Sequence, residues 1–553
     1  MKSPPPPDFQ TVSDAALRAP DESVRASPNL WRLQVGWGAA QITSWAWLPA
    51  MMALAFERGG PLAVGLVLAF RQIPGALAAP VLSAISERRP QRAFAAISVA
   101  RASAMGGAAA CAFWEAPLAL FFALVALEGL GEGPLRGLHK GLLPWVIRSP
   151  RELVAASAVG SILTQLGAFA GPGLGTLVLA GASYGTLFAL LSGIVLSTAI
   201  PLARIRIGRP VKEGQVAGAW LRQLSSGFDA LRRDESVTFL VALLATASGS
   251  LGAIQACAPS LAQQILGPGP QGTTLLIAAV GLGGLAGGLL VLARGARLSP
   301  RRQIVLGLSL CAAPWIALAF PLPAGIGLAL VVLAGLGIAL YGIAGNTLLI
   351  RVVHPDVRAT LLGIKVLLVL TAAGVGGMLA SLGVDVLGVR VTLPMTGALL
   401  GLLSLLAYSR LPGIEARASR RDRELSVVAS TALFRGLPMA SCELLAMQLQ
   451  RADVLPGIPV VRQGDSGESF FLVESGRLSV SADGRRLREL SAGDSFGEIA
   501  LVKAVPRTAT VEALEPSVLW TLERRGFLEA VTGDPDTYQL AHTIADERLG
   551  AST

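Results

Sequence analysis

Residues 496–510 read FGEIALVKAVPRTAT, in which a Gly-Glu pair opens a short apolar segment and an Arg follows nine residues after the Glu. Backbone amides at the start of a helical segment are free hydrogen-bond donors, and the helix dipole favours an anion there. The predicted donors to a phosphate group are Gly497 and the amides of Glu498, Ile499 and Ala500. Arg507 adds a fixed positive charge that suits phosphate oxygens.

Short segments of β type surround this phosphate cradle. They are PVVR, ESFFLVES, RLSVS, RRLREL, TATVEA and SVLWTLE, each bounded by Gly, Asp or Pro. The Ala-Asp-Gly sequence at Ala482–Gly484 predicts a hairpin turn. Helical patterns precede the strands, and another follows them from Gly526 to Leu549. The sequence therefore predicts an α+β domain with a β-roll over residues 427–549, preceded by a short basic linker at 412–426.

The remainder of the chain is strongly apolar. Hydrophobic residues make up 52% of the 553 residues, charged residues 15%, and the mean hydropathy is +0.60. Soluble proteins carry about 25% charged residues, so the deficit indicates helices in lipid. Apolar runs begin near Leu30, Pro61, Ala93, Ala116, Leu153, Tyr184, Val237, Gly272, Gln303, Ala324, Ala359 and Val391. They predict a twelve-helix membrane bundle over residues 30–411, in which Pro412 and Gly413 end the last span.

The charges between the runs predict orientation. Basic residues fill alternate loops, at Arg88–Arg92, Lys140–Arg151, Arg204–Arg233, Arg294–Arg302, Arg351–Arg358 and Arg417–Arg423. The opposite loops hold only Arg58 and Arg390, and basic loops stay in the cytoplasm. We therefore expect a multi-pass protein of the inner (plasma) membrane with both termini cytoplasmic, including a disordered tail at 1–29. This placement also accounts for the net charge of +10 without a nucleic-acid partner.

An internal repeat divides the apolar region. The segment from Ala126 matches the segment from Val332 at a constant offset of 206, with Leu127/Leu333, Gly129/Gly335, Gly131/Gly337, Leu142/Leu348 and Val146/Val352 coinciding. These segments lie in the fourth and tenth predicted spans, so the repeat predicts two parallel six-helix halves around a midplane site. The alternative is a chance match of Gly and Leu in apolar sequence.

A charged stripe marks the fourth predicted span. Glu128, Glu132, Arg136 and Lys140 recur every four residues and share one helix face. An ionisable group at membrane depth costs at least about 2.5 kcal/mol unless it meets water or a partner. Ala334 replaces Glu128 in the repeat, so we expect Glu128 to be a cavity carboxylate for a proton or a cationic substrate group. Glu132 and Arg136 suit a local pair, and the alternative is a salt-bridge ladder at the cytoplasmic end.

The apolar region resembles the major facilitator superfamily, and within it the bacterial efflux-type branch. The resemblance rests on NLWRLQVGWGAAQITSWAW, LVLAFRQIPGALAAPVLSAISERRPQR and LRQLSSGFDALRRDESVTFL. It implies that Glu87, Arg88 and Arg92, in the second-to-third loop, pair with neighbouring helix ends and hold a cytoplasmic gate closed. The family's Gly and Asp are absent from this loop, and the three residues can also be explained as cytoplasmic orientation charges.

Residues 427–549 resemble the cyclic nucleotide-binding domain. The matching residues are Gly464, Asp465, Gly476, GDSFGE at Gly493–Glu498 and PRTAT at Pro506–Thr510. The resemblance implies that the ligand is cAMP or cGMP, with Glu498 accepting a hydrogen bond from the ribose 2′-hydroxyl and Arg507 holding the cyclic phosphate. Thr508 is expected to contact the phosphate or the purine, which leaves the base undecided. Arg548, on the last helix, is a candidate to reach the base.

These features predict a secondary transporter, of the efflux type, that exports a small molecule across the lipid bilayer under control of a cyclic nucleotide. One alternative is a transporter-like receptor that signals through the C-terminal domain. Another is a transporter whose domain has lost its ligand. We find no nucleophile-base set, P-loop or metal-type spacing, and the four Cys lie far apart, so neither an enzyme nor a cofactor is expected. The substrate is left open.

Overall fold

The computed structural model divides the chain into two compact units. The first comprises Met1–Leu349 with Ala359–Leu411, and the second comprises Ile350–Arg358 with Pro412–Thr553. The described residues are 28–88, 90–146, 150–203, 227–229, 231–267, 269, 271–294, 298–434, 436–437, 439–532 and 535–550. The predicted disordered tail lies almost wholly outside these residues, as does most of the basic loop from Arg204 to Arg233.

Long helices form the first unit. In chain order they are α1 (Pro28–Arg88), α2 (Pro90–Phe113), α3 (Leu118–Leu130), α4 (Glu132–Val146), α5 (Pro150–Leu179), α6 (Tyr184–Ala203), α7 (Glu235–Leu266), α8 (Gln271–Arg294), α9 (Pro300–Ala317), α10 (Ala324–Val352), α11 (Pro355–Leu387) and α12 (Val389–Ser430). Among the described residues, nine helices are long and apolar enough to cross a membrane. α1 packs along α5, and α2 packs along α6.

The predicted spans and the helices differ in number at two places, where the helical backbone is interrupted. α1 is interrupted at Gly59 and Gly60, where Gly60 has φ 67°, and the predicted second run begins at the next residue. The predicted fourth span is divided between α3 and α4 at Gly131, which caps α3. Every predicted run therefore falls on a helix, but the number of twelve membrane crossings stays a prediction.

The helix that holds the last predicted span extends beyond the residues that were expected to end this span. Pro412 and Gly413 were expected to terminate it, yet α12 continues through both residues to Ser430. A Pro and a Gly inside a helix cost roughly 3 and 1 kcal/mol. Burial of Leu411, Ile414 and Ala418 on one face offsets this cost, because the three residues recur at helical spacing. The predicted linker at 412–426 is therefore helical, and the boundary between the two units falls inside α12.

The second unit is built on two antiparallel four-stranded sheets. Its strands are β1 (Gln450–Val454), β2 (Pro459–Val461), β3 (Ser469–Ser475), β4 (Leu478–Ala482), β5 (Arg485–Leu490), β6 (Ser495–Phe496), β7 (Thr510–Ala513) and β8 (Ser517–Glu523). The strand orders are β1-β8-β3-β6 and β2-β7-β4-β5. Six strands follow the predicted segments. β1 and β6 were missed, since β1 is largely exposed and β6 has two residues.

Helices complete this unit and enclose a shared core. They are a 3₁₀ turn (Ala432–Phe434), α13 (Met439–Gln448), α14 (Glu498–Val502), α15 (Arg524–Thr532) and α16 (Pro535–Gly550). Phe434, Phe470 and Phe527 pack against one another at the centre of the core. Leu501 of α14 and Leu445 of α13 belong to the same apolar cluster. The short helix that was predicted to cradle a phosphate is thus anchored through its apolar side.

Candidate functional site

The turn before α14 needs glycine. Gly497 has φ 95°, in the left-handed region that residues with a Cβ rarely adopt. A Cβ at this position would stand 2.6 Å from Arg507 Nη1 and 2.9 Å from the Ser469 carbonyl oxygen. Gly497 therefore lets the chain turn sharply from β6 into α14 while Arg507 lies directly against its backbone.

Arg507 is buried and fixed from several sides. Its side chain is 6% exposed, and its Nη1 and Nη2 donate to the carbonyl oxygens of Gly497 (3.0 Å) and Ser469 (2.6 Å). The guanidinium carbon lies 5.7 Å from the centre of the Phe471 ring. Burial lowers the pKa of Arg507, while the negative charge of Glu498 acts in the opposite direction. Its Nε has no hydrogen-bond partner among the described residues.

One carboxylate oxygen of Glu498 accepts a hydrogen bond, and the other has no donor among the described residues. The residue is 2% exposed, and its Oε1 accepts a hydrogen bond of 2.6 Å from Arg548 Nη1. Within the described part of the chain, Oε2 has no partner. A buried polar group left unsatisfied costs about 1–3 kcal/mol. A ligand that offers a hydroxyl to Glu498 and a negative group to Arg507 would remove this cost at both residues.

The C-terminal helix contacts this site at two points. Arg548 also donates to the Ser495 carbonyl oxygen at 2.9 Å, and Lys503 Nζ lies 2.7 Å from Asp546 Oδ1. The sequence analysis offered Arg548 as a residue that could reach the base. In the structure its guanidinium contacts Glu498, the residue expected to bind the ribose, and contact of Arg548 with the base stays a prediction.

Sequence reasoning missed one further cation near the site. Arg488 is an exposed residue of β5. Partial loss of hydration lowers the pKa of its guanidinium, nearby Arg548 lowers it further, and Glu498 and Asp494 raise it. The available signal was strand alternation, which places Arg488 on the same face as the apolar Leu490 two residues later. Among the other predicted residues, Ala500 is buried, and Ile499 and Thr508 are half-buried beside Glu498 and Arg507.

In the first unit, Glu128 is held between two arginines that the sequence analysis did not connect to it. Its side chain is fully buried, and Oε1 accepts from Arg101 Nε (3.0 Å) and Nη2 (2.5 Å). Oε2 accepts from Arg71 Nε at 3.2 Å. Arg101 Nη2 also donates to Ser44 Oγ at 2.7 Å. The available signal was that both arginines stand alone inside apolar runs, where charges are paired.

A chain of ion pairs leads from Glu128 towards the surface. Arg71 also pairs with Glu132 through Nη2, and Arg136 Nη2 lies 2.7 Å from Glu132 Oε1. The predicted local pair is therefore present. Glu132 is 21% exposed and Arg136 52%. The second part of α1 approaches α3 closely here, since a Cβ at Gly75 would lie 2.6 Å from the Gly129 carbonyl oxygen.

The structure gives less information on the other residues that were predicted to act in transport. Glu87 and Arg88 lie near the end of α1, and their side chains, like that of Lys140, are outside those described. Arg92 is exposed at the start of α2. The gate therefore stays a prediction. In the described ranges, no group of three His, Cys, Asp or Glu residues could hold a metal ion.

A bundle of apolar helices with paired interior charges, followed by a β domain with a buried Arg-Glu site, defines a membrane transporter class with a ligand-binding domain attached. Residues 37–368 match the Major Facilitator Superfamily, and the chain belongs to this superfamily. Residues 452–534 match the Cyclic nucleotide-binding domain. The predicted helical membrane bundle with a C-terminal cyclic nucleotide-binding domain is thereby confirmed.

Individual relatives match in parts. Over 100 residues the chain is 42% identical to an uncharacterized protein of Mycobacterium tuberculosis, covering 18% of this chain and 20% of that protein. Over 100 residues it is 39% identical to the cAMP-dependent protein kinase regulatory subunit of Yarrowia lipolytica, covering 18% and 27%. The chain thus spans about a quarter or less of these relatives. The nucleoside transporter NupG shares the fold, with a TM-score of 0.59 and 12% identity over 69% of this chain and 99% of that one.

Proposed function

We propose that this chain is a secondary transporter of the plasma membrane that exports a small molecule and is regulated by cAMP or cGMP bound to its cytoplasmic C-terminal domain. The observation that carries the regulatory part is the pair of buried, unsatisfied atoms Arg507 Nε and Glu498 Oε2. One is a donor with positive charge and the other an acceptor with negative charge. A 3′,5′-cyclic nucleotide offers the complementary groups, a phosphate and a 2′-hydroxyl, on one rigid ring.

Each residue then has a distinct task. Arg507 donates charge-assisted hydrogen bonds to the phosphate, and its existing bonds to two carbonyl oxygens fix its plane in advance. Glu498 accepts from the 2′-hydroxyl through Oε2 while Arg548 holds Oε1. The amides at the start of α14 contribute further donors. The unsatisfied atoms Arg507 Nε and Glu498 Oε2 favour a domain that binds a ligand over one that has lost it.

The transport pathway is proposed to include Glu128, Glu132 and Arg136, now joined by Arg71 and Arg101. A proton or cationic group can reach Glu128 only by competing with two guanidinium groups. Movement of the helices that carry these groups would therefore be part of the transport cycle. We propose no catalytic step for either unit.

Nucleotide binding is tested by calorimetry on the full chain in detergent with cAMP, cGMP and 2′-deoxy-cAMP. Arg507→Ala should weaken binding by about 100-fold or more, because two charge-assisted hydrogen bonds contribute roughly 1.5–3 kcal/mol each. Glu498→Gln should abolish the preference for cAMP over its 2′-deoxy analogue. Arg486→Ala is the matched control, since Arg486 pairs with Glu489 on the exposed side of β5. Wild-type chain that takes up neither cyclic nucleotide would refute the proposal.

Transport is tested with inverted membrane vesicles and a panel of fluorescent organic cations and labelled metabolites. Uptake of any probe would then be compared with and without saturating nucleotide, in wild type and in Arg507→Ala. We expect the nucleotide to change the rate only in wild type. Equal rates would contradict regulation and leave a transporter with a separate binding domain. A receptor would bind a probe without moving it.

A further inference from the structure

The nucleotide-binding unit contains a short segment that is distant from it in sequence. Ile350–Arg358 belongs to the second unit, although it joins α10 to α11, two helices whose remaining residues belong to the first. The connection between two helices of the transporter is therefore packed as part of the sensor. The chain also passes from the first unit to the second inside α12, between residues 411 and 412.

Two partly buried contacts hold this segment, and we call them the clasp. Arg358 Nη2 lies 2.8 Å from Glu443 Oε2 on α13, with side-chain exposures of 25% and 17%. Arg421 Nη1 donates to the carbonyl oxygens of Val352 (3.1 Å) and Val353 (3.3 Å), both of which are buried residues. The last carbonyls of a helix lack partners within it and favour a cation. Arg421 thus caps the end of α10.

A third contact of the same segment is more exposed to solvent than the clasp and can be compared with it. Arg351 Nη1 lies 3.2 Å from Asp422 Oδ2, but the two side chains are 44% and 49% exposed. Exposed pairs of this kind contribute about 0–1 kcal/mol. The side chains of the clasp pair are less exposed than those of Arg351 and Asp422, so we expect the clasp to contribute more to stability.

One apolar core links the clasp to the nucleotide site. Cys442 and Leu445 flank Glu443 on α13 and pack in the same cluster as Leu501 of α14. Phe470 also belongs to this cluster and follows Ser469, whose carbonyl oxygen accepts from Arg507. Close-packed interiors transmit displacement because they contain few voids. A shift of α14 or Arg507 on phosphate binding therefore changes the packing under Glu443.

We propose that residues 350–358 receive the nucleotide signal, and that Arg358–Glu443 together with Arg421 passes it to the ends of α10 and α11. This inference rests on the proposed function as far as nucleotide binding is concerned. It adds the place where regulation enters the transporter, which is the α10–α11 connection in the second half of the repeat. The clasp regulates only if its free energy differs between the bound and free forms.

The test is hydrogen exchange with mass spectrometry on the full chain in lipid nanodiscs, with and without a saturating amount of cAMP or cGMP. We expect exchange at residues 350–358 to change by about fivefold or more on nucleotide addition. Arg358→Ala and Glu443→Ala should each remove this response, and the double variant should do no more than either alone. Arg351→Ala, at the exposed pair, should retain it. The charge exchange Arg358→Glu with Glu443→Arg should restore it in part.

The outcomes separate the inference from the function on which it rests. Calorimetry on the same samples reports whether nucleotide binds, and binding within about threefold of wild type shows that a clasp variant keeps a folded sensor. Nucleotide that binds wild type without altering exchange at 350–358 refutes the inference and leaves the proposed function intact. A response that survives in both single variants also refutes it. Absence of binding to wild type refutes the proposed function itself.

Discussion

Replacing Glu128 with Gln is the sharpest test of the interior charges. Gln has nearly the same shape but no charge, so it leaves two guanidinium groups facing one neutral amide. Glu128 is fully buried, and Arg71 and Arg101 are 5% and 1% exposed. Removing one partner of a buried ion pair costs about 3–5 kcal/mol, because the charge left behind is uncompensated.

The loss should fall mainly on one arginine. Arg71 retains Glu132 as a second partner, whereas Arg101 retains only the Ser44 hydroxyl among its hydrogen-bond partners in the described residues. We therefore expect Arg101→Gln combined with Glu128→Gln to be less destabilising than the sum of the single changes. Such non-additivity is the signature of groups that act together. Glu132→Gln should cost less, about 1–2 kcal/mol, because its other partner, Arg136, is half exposed.

Thermal unfolding in detergent, followed by tryptophan fluorescence, measures these differences, and transport in vesicles is measured on the same variants. A large fall in melting temperature for Glu128→Gln, with recovery in the double variant, supports an ion-pair centre. Unchanged stability together with lost transport would refute that reasoning. It would instead favour the cavity carboxylate that the sequence predicted.

Two other predictions concern the soluble unit. Gly497→Ala should lower domain stability by about 1–2 kcal/mol through its positive φ and also weaken nucleotide binding, because the new methyl group displaces Arg507. Gly484→Ala has a similar φ of 78° but open space around it, so calorimetry should show unchanged affinity; equal losses in both variants would contradict the argument. Burial raises the pKa of Cys442, so less thiolate forms at a given pH, and iodoacetamide should modify the folded chain at least about tenfold more slowly than the unfolded chain across pH 7–9. Mass spectrometry of the Cys442 peptide measures this, and equal rates would show that the thiol is accessible.

Sequence patterns predicted those structural features that depend on interactions between residues close together in the chain. Six strands of the β domain were predicted from alternation and turn residues. Gly497 was placed in the phosphate cradle because it directly precedes a short helical segment whose first amides are free donors. The break of α1 at Gly59 and Gly60 coincides with the start of a predicted run. The apolar runs themselves were readable because lipid imposes length and composition on any helix that crosses it.

Ion pairs between residues far apart in the chain could not be predicted from the sequence. Arg71 and Arg101 lie 57 and 27 residues from Glu128 in the chain, so no spacing rule connects them. Helical periodicity placed Glu128, Glu132 and Arg136 on one face, but it could not say which other helices supply their partners. Pro412 and Gly413 were expected to end the last span, because both residues disfavour the interior of a helix. Buried apolar contacts outweighed that propensity, and α12 continues to Ser430.

The position of the unit boundaries limits how the sensor can act. The chain passes from one unit to the other at residues 349/350, 358/359 and 411/412. A domain attached by one flexible linker could rotate without consequence for the helices before it. Attachment at three points is different, because any reorganisation of the sensor must be accommodated at the end of α10, the start of α11 and the interior of α12. All three crossings lie in the predicted second half of the repeat, so under the proposed regulation a bound nucleotide would act on that half through the chain itself. If transport proceeds by rocking of one half against the other, as the repeat predicts, such a bias on one half would change the relative free energies of the two access states.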